Sequence, residues 1–508
     1  MARTVSGPTD HVVVVGAGLA GLSTALHLLG AGRRVTLLER GDHPGGRAGR
    51  LDLEGPDGRY LVDTGPTVLT MPDLVDATLA PVGEKLGDRL ELIRLDPAYR
   101  ARFADGSTID VHTDPEAMET EIAEKVGPAD AAGYRRLRHW LTELYRAEID
   151  TFIGANMDSP LGLLTPDLAR LAALGGFGRL GRRVGRFVAD ERLRRIFSFQ
   201  ALYAGVAPAR ALAAYGVIAY MDTVAGVWFP RGGMRALPTA LADAAAAAGA
   251  EFRYGCTATG VVRRGDRATG VRYLDPGGQL NRLDADVVVL TPDLPVTYRL
   301  LGGGPRRPVP VRWSPSAVVL HLGGPAGGPS TAGDPGGGDA HHTLSFGAAW
   351  ERTFDEILHR GELMSDPSLL ITRPTASDPS LAPPGHQLTY LLAPCPNTDR
   401  ARLDWARVGP AYADELMGVL AARGLDVPGG PVAARHLVTP DDWADQGLAA
   451  GTPFAAAHTF AQTGPFRPAN RVRGWANVVL AGCGTTPGVG VPPVLISGRL
   501  AAERVVGG

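Results

Sequence analysis

Cysteine is rare in this chain: three in 508 residues, Cys256, Cys395 and Cys483, far apart and with no CxxC pair. That pattern excludes a disulfide framework and argues against structural zinc, and it fits a reducing compartment. No apolar run approaches the ~20 residues needed to span a bilayer. The opening MARTVSGPTD lacks the apolar core of a signal peptide, so the expected location is cytoplasmic or on a membrane surface. A formal net charge of −2 gives no reason to expect a nucleic-acid partner. HExxH and GxSxG are missing, which removes the usual metalloprotease and serine-hydrolase chemistries. His341 and His342 are adjacent, and neighbours on a strand point to opposite faces, so a metal pair is not expected there.

What the chain does have is glycine, 67 residues of it, concentrated in turns that follow apolar runs. His11–Val15 reads as a fully buried parallel strand. It runs into Gly16-Ala17-Gly18-Leu19-Ala20-Gly21 and then a helical pattern with Leu22, Leu26 and Leu29, closed by Gly30 and Gly32. Val35–Glu39 supplies the next strand. Gly16 permits the tight turn, Gly18 lets backbone approach a pyrophosphate, and Gly21 lets helix and strand pack closely. The helix N-terminus offers free N–H groups to the phosphates. Glu39, at the strand end, is placed to accept hydrogen bonds from an unphosphorylated adenosine ribose. GxGxxG alone is weak evidence; strand, turn, helix, strand and terminal acid together indicate a dinucleotide rather than an ordinary βα turn.

Just beyond, ERGDHPGGRAGR places Arg40 and the Gly45-Gly46-Arg47 group close to Glu39, and VDTGPTVLT follows at 62–70. A glycine pair with a cation is a flavoprotein pattern, the backbone nearing the FAD diphosphate and the Arg offsetting its charge. The alternative is a plain surface turn with a solvated Arg. Near the end, NVVLAGCGTTPGVGVPP (477–493) repeats strand (Val478–Leu480), glycine turn and helix (Val494–Val505). Its spacing, its prolines and the missing acid-tipped strand argue against a second nucleotide site. The last helix is expected to turn its N-terminus toward the flavin end of the same cofactor, where its dipole favours negative charge on a reduced ring.

Between these ends, 80–110 alternates short strands and turns, and 115–225 is mainly helical. Within it, 161–187 combines Leu168, Leu171 and Leu174 with Arg170, Arg179, Arg182, Arg183 and Arg186. This reads either as an interfacial membrane helix or as an ordinary amphipathic helix with a solvated basic face. Residues 211–221 suit a substrate tunnel or a buried helix equally. Arg231, in FPRGG, is a candidate for holding a phosphate or the flavin ring, or for bracing its turn. Residues 251–278 read as a β-meander, 284–292 as another buried strand, and 323–340 as a low-complexity Gly/Pro surface loop.

These segments resemble the bacterial and fungal phytoene desaturases, flavoproteins of carotenoid biosynthesis within the flavin amine oxidoreductase superfamily. The resemblance rests on VVGAGLAGL, LLERGDHPGGRAG, DTGPTVLTMPD, FSFQALYAG, GVWFPRGGM, SLAPPGHQLTYLLAPCPN, GPFRPANR and AGCGTTPGVGVPPVLISG, nearly the whole chain. It implies FAD held through Gly16, Gly18, Gly21, Glu39, Gly46 and Arg47. It places Gly65, Pro66 and Thr67 near the flavin and Ala258 at the adenine, with Gly482, Thr485, Gly488, Val489 and Val491 closing over the flavin end. The substrate implied is a hydrophobic forty-carbon polyene taken from the bilayer, which favours the interfacial reading of 161–187. A hydrocarbon offers no heteroatom to polarise, so the cofactor must carry the chemistry. Hydride transfer from an allylic carbon to flavin is expected, with a membrane quinone or oxygen as electron acceptor. Thr486 stands where the family usually has His, and Pro493 where it has Gly. His139 occupies a position where some relatives carry a candidate acid.

The fold expected is α/β. A Rossmann-type FAD-binding domain is assembled from 10–80, 228–300 and 470–508. A mixed-sheet substrate domain takes 81–114 and 301–469, and a helical membrane-facing subdomain takes 115–227. Other readings are a sister carotenoid desaturase or ketolase acting on another polyene, an amine oxidase, and a nonenzymatic lipid-binding flavoprotein. The amine oxidase normally needs an aromatic cage, and only 6% of residues are aromatic, with no cluster in sequence near the closing motif.

Overall fold

The computed structural model describes residues 3–305, 310–327, 340–425 and 428–507. Five short strands form one parallel sheet in the order Val478–Leu480, Val287–Leu290, His11–Val15, Arg34–Leu38 and Glu251–Arg253. The Val-rich central strands are buried on both faces, as a parallel sheet covered on each side requires. In register, Val13 lies between Val288 and Thr36. Three segments remote in sequence therefore complete one sheet: the N-terminal 40 residues, the stretch around 251–290, and the C-terminal strand.

The helix Leu19–Gly30 crosses from the first strand to the second, and the closing helix Val491–Val506 packs along it. Gly498 makes that approach possible: a Cβ there would meet the Ala20 carbonyl oxygen at 2.6 Å. Ser23 Oγ donates to the Leu495 carbonyl (2.7 Å), and Thr24 Oγ1 to that of Gly498 (3.2 Å), pinning the two helices together. Both glycine turns therefore end up at the same edge of the sheet.

A second, seven-stranded mixed sheet runs Ala434–Val438, Ser316–Pro325, His386–Cys395, Leu369–Thr372, His342–Ser345, Tyr99–Arg102 and Thr108–Val111. All its pairs are antiparallel except His342–Ser345 with Tyr99–Arg102. A three-stranded antiparallel sheet, Thr257–Arg264, Arg267–Leu274 and Leu280–Asp284, realises most of the meander; Glu251–Arg253 leaves it to join the parallel sheet. Between 115 and 225 the chain is helical, dominated by Pro128–Glu148, whose Tyr134, Leu137, Trp140, Leu141 and Leu144 are buried.

Several local expectations change. The 161–187 stretch is not one helix but a 3-10 turn Pro160–Leu163 and short helices Pro166–Ala173 and Leu180–Val184, interrupted around Gly175, Gly176 and Gly178. Glycine costs roughly 1 kcal/mol in a helix interior, and three within four residues outweigh the leucine spacing. The closing helix starts at Val491 rather than Val494, with Pro492 and Pro493 in its first turn, where a missing N–H costs nothing. Residues 323–325 finish a strand paired with His386–Gln387 and Leu388 rather than opening a loop. Most of the expected Gly/Pro loop, 328–339, lies outside the described residues.

Candidate functional site

Between the parallel sheet, the mixed sheet and the helical region lies a single cavity of 1520 Å³. That exceeds the roughly 300–1,000 Å³ of common small-molecule pockets. One end is built from glycine backbone. Gly16 follows its strand with φ +102°, and a Cβ there would strike Thr291 Oγ1 at 2.3 Å. Gly18 bridges Gly45, whose N–H donates to the Ala17 carbonyl (3.0 Å), so the first turn and the GGR turn form one surface. Glu39 is fixed from both sides. One carboxylate oxygen accepts from Ala17 N–H (2.7 Å) and the other from Gly41 N–H (2.8 Å).

Of the residues singled out from sequence, Gly16, Gly18, Glu39, Arg40, Gly46, Arg47, Gly65, Pro66, Thr67, Ala258, Gly482, Gly488, Val489 and Val491 all line this one cavity. The geometry brings both glycine turns to a single void. Arg40 Nη2 donates to the Gln446 carbonyl (2.7 Å) and Arg47 Nη1 to that of Pro453 (2.9 Å), with the buried Asp293 3.9 Å from Arg47 Nη2.

Four expected residues stand behind or away from the wall. Ala17 acts through its N–H on Glu39. Gly21 is packed against the turn; a Cβ there would lie 2.0 Å from the Gly16 carbonyl oxygen. Thr485 is buried and donates to the Pro468 carbonyl (2.6 Å). Of the alternatives open for Arg231, its surroundings match the bracing of its turn. It is half exposed, outside the cavity lining, and forms a two-point ion pair with Glu91 at 2.8 Å in each bond. An Arg231→Ala variant is expected to keep its FAD content and its unfolding midpoint, because exposed ion pairs contribute little; absorbance per protein and a thermal melt check this. His139 is exposed on its helix and takes no part in the cavity. His341 and His342 are both buried; the first is bonded to Ser377 Oγ (2.8 Å), and only the second lines the cavity. Among the described residues no cluster of three or more potential ligands for a metal occurs.

The far end of the cavity is walled by Phe152, Leu171, Phe199, Tyr203, Ile218 and Leu392 among other apolar side chains. The 211–221 segment, largely buried and including the short helix Gly216–Tyr220, contributes Leu212, Tyr215, Val217, Ile218 and Met221 to the cavity lining. Tyr215 packs edge-on against His458 (centroids 5.4 Å apart), whose ring lies against Gly488. Tyr215 thus lies one ring contact from His458, the side chain that packs against the closing turn.

Sequence reading missed the ionisable groups of this end. Glu148 is buried with Oε1 unpartnered, and burial holds its carboxyl well above the ordinary range. Asp222 is pushed up to about 8 by burial, against the opposing pull of Gln200, whose amide donates to both carboxylate oxygens (3.4 and 3.2 Å). Burial therefore disfavours the charged form of both acids on this wall. The signal was present for Asp222, a lone acid inside the apolar run VIAYMDTVAGV. A carboxyl with a raised folded-state pKa favours folding most at low pH and loses that contribution as pH rises. Asp222→Asn is accordingly expected to gain stability over the parent as pH climbs from about 4 to about 8, by roughly tenfold in the folding constant per pH unit. Urea melts across that range check it; parallel curves would refute it.

Arg467, in GPFRPANR, is the other omission. It is buried, and its guanidinium donates to the carbonyls of Thr485 (2.9 Å), Cys483 (2.6 Å) and Ala456 (3.2 Å), so it holds the closing turn in place.

The residues present fit a flavin dinucleotide. Glycine backbone at 16–18 and 45–46 leaves the close approach that a pyrophosphate needs, Glu39 is fixed at the strand end, and the cavity continues past the closing turn. The family model described as flavin containing amine oxidoreductase matches residues 19–506. Over 506 residues the chain is 64% identical to a protein of Streptomyces griseus named phytoene dehydrogenase, covering 99% of this chain and 96% of that one. It is 35% identical to the zeta-carotene-forming phytoene desaturase of Myxococcus xanthus, over 98% and 94% of the two chains. Among solved structures, an oxidoreductase from Methanosarcina mazei aligns with TM-score 0.61 at 16% identity, over 97% of this chain and 100% of that one. Cyclohexylamine oxidase from Brevibacterium oxydans aligns with TM-score 0.55 at 15% identity, over 98% and 99%. The chain belongs to the flavin-containing amine oxidoreductases, and its cofactor is FAD.

Proposed function

We propose that this enzyme desaturates phytoene to more conjugated carotenes, on a membrane surface. The observation that carries the reading is the full-length likeness to the Streptomyces griseus phytoene dehydrogenase. The cavity is consistent with it. An apolar compartment continuous with the dinucleotide cradle is what a long hydrocarbon requires, since its binding rests on buried apolar area.

Desaturation removes a hydride equivalent and a proton from adjacent carbons, and bound FAD supplies the two-electron oxidation. This chain's own residues do the rest. Gly16, Gly18, Gly45 and Gly46 admit the diphosphate, and Arg47 offsets its charge. The N-terminus of Val491–Val506 faces the cavity and favours negative charge there. Phe199, Tyr203, Ile218 and Leu392 hold the polyene and exclude water, and the burial of Glu148 and Asp222 disfavours negative charge on that wall.

The parallel sheet serves as the Rossmann-type FAD-binding domain (10–80, 228–300, 470–508). The mixed sheet with its attached segments (81–114, 301–469) is the substrate domain, and 115–227 faces the membrane. A membrane quinone or oxygen takes up the electrons. Among the described residues no helix is long and apolar enough to cross a membrane, so the attachment we assign is peripheral. The test is to mix FAD-loaded protein with phytoene-containing liposomes, without NAD(P)H, and record visible spectra. Stepwise long-wavelength polyene bands are expected. Colourless phytoene beside a bound, reducible flavin would turn the reading toward a sister polyene substrate.

A further inference from the structure

Arginines that find no acid mark one corner of the surface. A pocket of 490 Å³ is lined by Arg179, Arg182, Arg183 and Arg186. None of the four has a carboxylate partner among the described residues, whereas neighbouring Arg170, Arg192 and Arg195 are each paired with an acid. Arg183 lies over Trp140 and Phe187, 5.5 Å from each ring centroid, and its Nε is buried with no hydrogen-bond partner. Arg179 is fixed through the Arg210 carbonyl (2.7 Å), while Arg182 and Arg186 are exposed. In a chain of net charge −2, four unpaired cations around one pocket form a local anion site.

The pocket shares three of its walls, Phe177, Leu212 and Phe460, with the long cavity. Around that junction stand three large aromatic side chains in solvent, Phe460 (62% exposed), Phe177 (48%) and Phe466 (48%), and two further exposed leucines, Leu161 and Leu164, flank in sequence the cavity-lining Leu163. Phe460 and Phe466 are in ring contact at 5.9 Å. The pocket is too basic to be a continuation of the hydrocarbon channel. A soluble phosphate would have no use for the exposed apolar groups beside it. Fixed cations next to exposed aromatics match a phospholipid, phosphate in the pocket and acyl chains along the aromatics.

We propose that Arg179, Arg182, Arg183 and Arg186 form a headgroup site for an anionic phospholipid of the bilayer, docking the cavity's mouth on negatively charged membrane. This rests on the reading that the enzyme works at a membrane surface. The test is flotation of FAD-loaded protein with phosphatidylcholine vesicles, with and without phosphatidylglycerol. Binding to both is expected, tighter with phosphatidylglycerol, and the increment should disappear at high salt. An Arg182→Gln/Arg186→Gln variant should keep its FAD and its binding to phosphatidylcholine. It should lose about twenty-five-fold on phosphatidylglycerol, roughly fivefold for each basic side chain at an anionic surface. R182K/R186K should retain most of that increment. Equal binding of the parent protein to both vesicle types would overturn the headgroup site and leave the membrane reading standing, as would an unchanged increment in the glutamine variant. No binding to either vesicle would overturn both.

Discussion

Replacing Gly18 with alanine is expected to strip FAD from a protein that still folds, whereas Gly21→Ala is expected to abolish folding. Gly18 has φ −72° and ψ 172°, which alanine adopts without strain, and its added Cβ would meet protein atoms only at 3.8 Å or beyond. The methyl group would instead occupy the cleft beside Gly45 and Gly46, where the diphosphate must approach. Overpacking of that kind costs ~1–3 kcal/mol, up to about a hundredfold in affinity. Gly21 meets the opposite situation: its Cβ would sit 2.0 Å from the backbone oxygen of Gly16, with Val14 at 3.3 Å behind. The nearest neighbour is backbone, which cannot swing aside, so the strain passes the ~3 kcal/mol top of ordinary overpacking. Far-UV circular dichroism and bound-flavin absorbance, measured on both variants, separate the two mechanisms. Equal FAD retention in Gly18→Ala and the parent would refute the placement of the diphosphate.

Arg467→Met should loosen the other end of the same site. Methionine keeps part of the buried volume but leaves the carbonyls of Cys483, Thr485 and Ala456 without their charged donor. Hydrogen bonds to charged groups contribute ~1.5–3 kcal/mol each, and buried carbonyls left unsatisfied add to the cost. The expected loss is about 3 kcal/mol or more in stability, with FAD affinity falling as the turn at 482–490 relaxes. Because FAD binds only the folded protein, excess FAD should restore part of the melting temperature. A variant that melts with the parent would show that the clamp is dispensable.

The contrast between these two sites shows where sequence reading succeeds. Gly16, Gly18 and Gly21 are legible because their constraints are local: a turn, a helix start and a strand end within a few residues of one another. The GGR turn and the closing glycine turn were legible for the same reason, and they line the same cavity. The role of Arg467 is not legible in GPFRPANR, because its partners are carbonyls 11 to 18 residues away that no side-chain pattern announces. Glu148, Asp222, His342 and His458 meet on the cavity wall only through the tertiary fold. The leucine spacing of 161–187 suggests one helix, but Gly175, Gly176 and Gly178 divide it into two short ones. Its chemistry was nonetheless visible: Leu168 and Leu171 line the cavity, and four of its five arginines line the adjacent pocket. Arg231 was raised by its place in a family motif, while its partner Glu91 is 140 residues distant.

The central claim is that the flavin bound between the two glycine turns oxidises a hydrocarbon lying in the continuous cavity. Its most direct test is an anaerobic single turnover: FAD-loaded enzyme mixed with phytoene in liposomes, flavin absorbance and extracted products followed together. The account predicts bleaching of the oxidised flavin with one new double bond formed per FAD reduced, and no further reaction until an electron acceptor is added. Flavin that stays oxidised beside unchanged phytoene, while dithionite reduces it readily, would contradict it.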